Sequence, residues 1–155
     1  AVEILPTLNE KYDVVFIDAA KGKYPFFLKE SLRMIKPNTP PFLDSAAAHS
    51  FEHLLATFLR NSKYTENVIY AGPMGCLTGF YVLFRNLDKK NAIQIIKEAM
   101  NYIATFNGNL PGSTQKECGN YLHHNIGKAK EYATDMSLVL KDWNEDKLNY
   151  DLSKK

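Results

Sequence analysis

The chain has no apolar run approaching the roughly 20 residues needed to cross a bilayer. It opens without the basic-then-apolar order of a secretory signal. It contains no internal repeat and no low-complexity tract. Neither sign of charge is in excess: 19 Lys and Arg against 17 Asp and Glu leave a formal net charge of +2. The lysines are scattered, so no basic patch points to nucleic acid. These absences lead us to expect a cytoplasmic protein that has neither a membrane nor a nucleic acid as partner. Cysteine is scarce, limited to Cys76 and Cys118. In a reducing compartment two thiols are more often buried, catalytic or metal-bound than disulfide-linked. The 155 residues, 45% of them apolar, suit a globular domain with a real core.

Tyr12 to Asp18 (YDVVFID) reads as a buried strand. Tyr24 to Ile35 reads as a helix with Pro25 in its first turn. The proline-rich stretch Lys36 to Pro41 ends it and marks a boundary, dividing the chain into residues 1–41 and 42–155. Ala46 to Asn61 carries Phe51, Leu54, Leu55, Phe58 and Leu59 at helical spacing, with Asp44 or Ser45 as N-cap. Asn67 to Tyr70 and Gly79 to Phe84 read as strands around a turn, Ala71 to Thr78. Asp88 can cap a helix running to Phe106, with Gly108 as its stop. Asn107 to Glu117 is a polar loop, and a last helix spans Gly127 to Trp143. The expected class is α+β: an antiparallel sheet packed against helices, preceded by a βα fragment.

The chemistry concentrates in His49-Ser50-Phe51-Glu52-His53. At about 100° per residue His49 and His53 lie one turn apart on one helix face, with Glu52 on the other side of His49. Phe51, Leu55 and Phe58 point the opposite way. Two imidazoles one turn apart can hold one metal ion, with a carboxylate beside it for proton transfer. A polar face opposite an apolar stripe is also what any surface helix shows, so the motif needs a third ligand. Cys118 and Cys76 are the candidates, and spacing alone does not assign them. Cys118, in E-C-G-N-Y-L-H-H, could complete a His/His/Cys set and leave a fourth position open. Cys76, in G-P-M-G-C-L-T-G-F-Y, could serve as an acid/base group if its thiol is activated. His123 and His124 could compete as ligands, or stand at the helix entry and contact substrate.

The ordered set H-S-F-E-H-L-L-A, P-M-G-C-L-T-G-F-Y and E-C-G-N-Y resembles the S-ribosylhomocysteine lyase family over about residues 46–143. The resemblance implies that His49, His53 and Cys118 are the metal ligands and that Glu52 and Cys76 are the acid/base pair. It further implies ferrous iron, replaceable by Zn²⁺ or Co²⁺, and a homodimer acting on S-ribosylhomocysteine. The products would be homocysteine and 4,5-dihydroxypentane-2,3-dione, the autoinducer-2 precursor. Tyr70 stands six residues before Cys76, where family members carry an aspartate.

Residues 1–37 resemble instead a fragment of a class I O-methyltransferase of the caffeoyl-CoA or catechol type. There Asp18 would match a metal-binding aspartate and Lys21 an active-site lysine. The glycine-rich S-adenosylmethionine loop of that family is missing. Two further readings of the whole chain follow. One is a remnant that binds metal without turnover. The other is an HxxEH zinc peptidase, which needs a downstream carboxylate such as Glu131 as third ligand.

Overall fold

The computed structural model describes residues 40–148 together with Met34, Ile35 and Asn38. The expected strand at 12–18 and most of the expected helix at 24–35 lie outside these residues. The last two residues of that helix are not helical: Met34 has no regular structure and Ile35 is a bend. Their N–H groups both donate to the Thr78 carbonyl, at 2.9 and 3.4 Å, rather than to a preceding turn.

Helix α1 spans Ser45–Arg60. Asp44 is its N-cap, accepting from the Ala47 N–H at 2.6 Å and satisfying one of the orphan donors of the first turn. Phe51, Leu54, Leu55 and Leu59 are fully buried along its inner face. Strand β1, Val68–Pro73, pairs antiparallel with β2, Phe80–Phe84. The pairing runs to Pro73↔Phe80, so the hairpin is tighter than the Ala71–Thr78 turn read from sequence. Burial of Ala71 against the core and of Phe80, Val82 and Phe84 in alternation extends it. Pro73 tolerates this place because a strand terminus needs no further donor. An irregularity between Val68 and Tyr70 lets Ile69 bulge outward, 49% exposed.

Helix α2, Lys89–Thr105, begins at Asp88 as the sequence implies, with the Asp88 carboxylate accepting from the Asn91 N–H. Helix α3, Ile126–Leu140, starts at an Asn125 cap and stops short of Trp143. The Lys97 ammonium ends it by donating to the Lys141 and Trp143 carbonyls, at 3.1 and 3.0 Å. Trp143 still packs on the core from beyond the helix.

Helix α1 lies against β1, α2 and α3, so its apolar face is enclosed and its polar face is turned toward the loops that lead into α3. The Phe51 and Phe80 rings meet at 4.7 Å and tie helix to hairpin. The described architecture is α+β, with a two-stranded antiparallel sheet and three helices. Among the described residues no helix is long and apolar enough to cross a membrane.

Candidate metal centre

Both α1 histidines are half-buried, and a carbonyl fixes each ring. His49 Nδ1 lies 2.9 Å from the His123 carbonyl oxygen, and His53 Nδ1 lies 2.8 Å from that of Pro111. A carbonyl can only accept, so each ring carries its proton on Nδ1. In a neutral ring so held, Nε2 is the nitrogen left with a lone pair. The two Nε2 atoms face each other at 3.2 Å. Two lone pairs that close have no proton to share, and a cation between them removes the conflict.

Cys118 Sγ completes the arrangement at 3.3 Å from His49 Nε2. A turn places it: the Glu117 and Cys118 N–H groups both donate to the Thr114 carbonyl. A tetrahedral ion with bonds of about 2.0–2.1 Å to nitrogen and about 2.3 Å to sulfur needs N–N edges of about 3.3 Å and N–S edges of about 3.6 Å. The donor set fits. His124 adds a fourth ring, its Nε2 3.8 Å from Cys118 Sγ. The ligand atoms of His49, His53, Cys118 and His124 all lie within 4.8 Å of one another.

Burial pushes the His124 imidazole below its ordinary pKa, and the neighbouring His49, His53 and His123 push it the same way. Its Nδ1 lies 3.3 Å from the hydroxyl of Ser50, a fully buried residue of α1. Ser50 Oγ also accepts from the Asn125 N–H at 2.8 Å, which fastens the start of α3 to α1.

The three ligands expected from sequence are thus brought together. The expected acid/base pair is outside this group. Glu52 sits half-buried on α1, one residue before His53. Cys76 is exposed in the β1–β2 turn, its Sγ 3.0 Å from Thr78 Oγ1. Glu131, the ligand a zinc peptidase would need, is bound at 2.6 Å to Lys128 on the exposed side of α3 and is not among the four.

Sequence reading missed the residues that orient the rings. Gly112 is one, with φ at +66°, and a Cβ there would meet His53 Nδ1 at 3.3 Å. Its left-handed backbone lets the loop set the Pro111 carbonyl on His53. The Pro111-Gly112 pair was the available signal for that turn. Ser50 and the His123 carbonyl gave none, because what they bond lies far away in sequence.

A family model described as S-ribosylhomocysteinase (LuxS) matches residues 14–147. The chain belongs to that family. The match runs through the proline-rich junction at 36–41 and begins at residue 14, well before it. Curated S-ribosylhomocysteine lyases agree with it. That of Clostridium acetobutylicum is 40% identical over 121 residues, covering 77% of each chain. That of Borrelia garinii subsp. bavariensis is 40% identical over 126 residues, covering 80% of each. That of Phocaeicola vulgatus is 41% identical over 122 residues, covering 77% of this chain and 76% of its own.

Proposed function

We propose that the chain is a metal-dependent S-ribosylhomocysteine lyase, cleaving the thioether bond to release homocysteine and 4,5-dihydroxypentane-2,3-dione. The observation that carries this reading is the pair of Nε2 lone pairs 3.2 Å apart with a thiol 3.3 Å away, in a chain of this family. His49, His53 and Cys118 are the proposed ligands of a ferrous ion, with Zn²⁺ or Co²⁺ as substitutes. Held by these three residues, the ion would supply Lewis-acid polarisation to the substrate. No redox change is required of it.

Glu52 and Cys76 carry the protons. A carboxylate at Glu52 and a thiolate at Cys76 can take and return protons at successive sugar carbons, walking the carbonyl from C1 to C3. Removal of the C4 proton then expels the homocysteine sulfur from C5 as thiolate. Exposure of Cys76 suits a group that must reach substrate.

We assign the working unit as a homodimer in the cytoplasm. Phe42, Leu122 and Leu138 are 65%, 78% and 69% exposed, apolar surface that a second copy would cover. Residues 42–155 form the catalytic region in this reading, and the methyltransferase-like segment at 1–41 contributes no methyl transfer.

The test is thiol release from S-ribosylhomocysteine with added Fe²⁺ or Co²⁺. The parent chain is expected to release homocysteine, and Cys76→Ala and Glu52→Gln to lose at least about 10²-fold in rate while keeping their metal. Full activity in Cys76→Ala would remove that residue from the mechanism. Bound metal with no turnover in the parent would make the chain a metal-binding remnant.

A further inference from the structure

The third histidine of the cluster differs from the other two in what faces its Nδ1. His49 and His53 each meet a carbonyl, which forces the proton onto Nδ1 and frees Nε2 as a ligand. His124 meets the Ser50 hydroxyl, which can donate. The oxygen of that hydroxyl already accepts from the Asn125 N–H. Its own hydrogen has two acceptors in reach, the Ala46 carbonyl at 3.1 Å and His124 Nδ1 at 3.3 Å. The Asn125 N–H is shared between Ser50 Oγ, at 2.8 Å, and the Ala46 carbonyl, at 3.2 Å, so that carbonyl has a donor in reach besides the Ser50 hydroxyl.

Ring geometry sets His49 against His124 as well. Two imidazoles bound through Nε2 to one tetrahedral ion have centroids about 5 Å apart, each ring plane containing the ion. His49 and His53 meet this, at 4.8 Å and 76°, and so do His53 and His124, at 5.1 Å and 77°. His124 is stacked on His49, at 4.1 Å and 27°. Stacked, nearly parallel rings have no shared in-plane point at bonding distance, so His49 and His124 do not ligate the same ion together in this arrangement. His49 is the one of the two whose Nε2 faces His53 Nε2, at 3.2 Å, and it lies closer to Cys118 Sγ, at 3.3 Å against 3.8 Å.

We propose that His124 is a positioning residue outside the ligand set, donating its Nε2–H to the Cys118 sulfur and held in that tautomer by the Ser50 hydroxyl. The proposal rests on His49, His53 and Cys118 being the ligands. The chain of donors runs from the Asn125 N–H to Ser50 Oγ, from Ser50 O–H to His124 Nδ1, and from His124 Nε2–H to Cys118 Sγ. A metal-bound thiolate can only accept, and His124 Nε2 lies 3.8 Å from it. A hydrogen bond to that sulfur weakens its electron donation and makes the ion a stronger Lewis acid. Stacking on His49 holds the ligand ring while the fourth position stays open.

Two measurements on the full chain test this. In the Zn²⁺-loaded, ¹⁵N-labelled protein, long-range ¹H–¹⁵N correlations are expected to show His49 and His53 with Nδ1–H and a metal-shifted Nε2. His124 is expected to carry Nε2–H. A metal-shifted Nε2 on His124 would make it a ligand and overturn the proposal. In the Co²⁺-loaded protein, His124→Ala is expected to keep one equivalent of cobalt and to move the thiolate-to-cobalt charge-transfer band to longer wavelength. His124→Gln, which keeps an N–H donor, should restore most of the shift. Ser50→Ala should shift the band in the same direction, and Ser50→Thr should return it. A band unmoved in both His124→Ala and Ser50→Ala overturns the proposal alone. A parent that binds no Co²⁺, or a band that survives Cys118→Ser, overturns the ligand set beneath it as well.

Discussion

Gly112 holds φ at +66°, and the Pro111 carbonyl beside it accepts from His53 Nδ1. Alanine in a left-handed conformation costs about 1 kcal/mol or more, and here its Cβ would also press on the His53 ring. Loss of an outer partner of a metal ligand typically weakens binding by about 10–100-fold. Gly112→Ala is therefore expected to lower Zn²⁺ affinity within that range, measured by competition with a chromophoric chelator. Parent affinity in that variant would mean that the Pro111 carbonyl does not orient His53. Glu131→Ala is the control from the opposite side: its partner is Lys128 on an exposed surface, so metal content should not move.

The helices begin where the sequence places them because their caps are local. Asp44 accepts from Ala47 three residues on, and Asp88 from Asn91. Asp44→Ala should destabilise the protein by about 1 kcal/mol in urea unfolding, and with it the helix that carries His49 and His53. The Asp88 carboxyl is held below its ordinary pKa, first by the Asn91 backbone N–H and then by the Asn91 side-chain amide. A lowered folded value means the unfolded chain takes up the proton first. The contribution of this cap is present above the usual carboxylate value of about 3.9 and is lost as pH falls through the lower folded value. Asp88→Asn is expected to flatten that part of the stability–pH curve, followed by circular dichroism. An unchanged acid limb would remove the cap from the acid response. Element ends set by distant partners were not legible. The last helix stops at Leu140 because Lys97, far back in α2, takes the carbonyls beyond it. Likewise Met34 and Ile35 leave the helical pattern because Thr78 accepts from both.

Across the whole molecule the site and the core share one helix. Phe51, fully buried and against Phe80, lies between His49 and His53, the proposed ligands on α1. Phe51→Ala should cost about 3–5 kcal/mol and lower metal occupancy with it, because the cavity loosens the helix that spaces the two imidazoles. A metal on the proposed ligands would in turn stabilise the fold, by about 2.7 kcal/mol when free metal is a hundred times its Kd. Chelator treatment is expected to lower the melting temperature, and restored Zn²⁺ to recover it. A melting temperature indifferent to chelator would argue against an ion on these side chains.

Local periodicity in the sequence determined α1, its cap, its apolar face and the one-turn spacing of His49 and His53, since each depends only on residues within a turn or two. The same reading grouped Cys118 with them through its family motif, which no local rule could have done. Tertiary structure alone decided how the rings are aimed. The carbonyls of Pro111 and His123 lie 58 and 74 residues from the rings they fix. Ser50 meets His124 across the same 74-residue separation. Those contacts exist because the loops leading into α3 close over the polar face of α1. Which nitrogen of a histidine carries its proton is set by the atom that packs against it, and that atom is chosen by the fold.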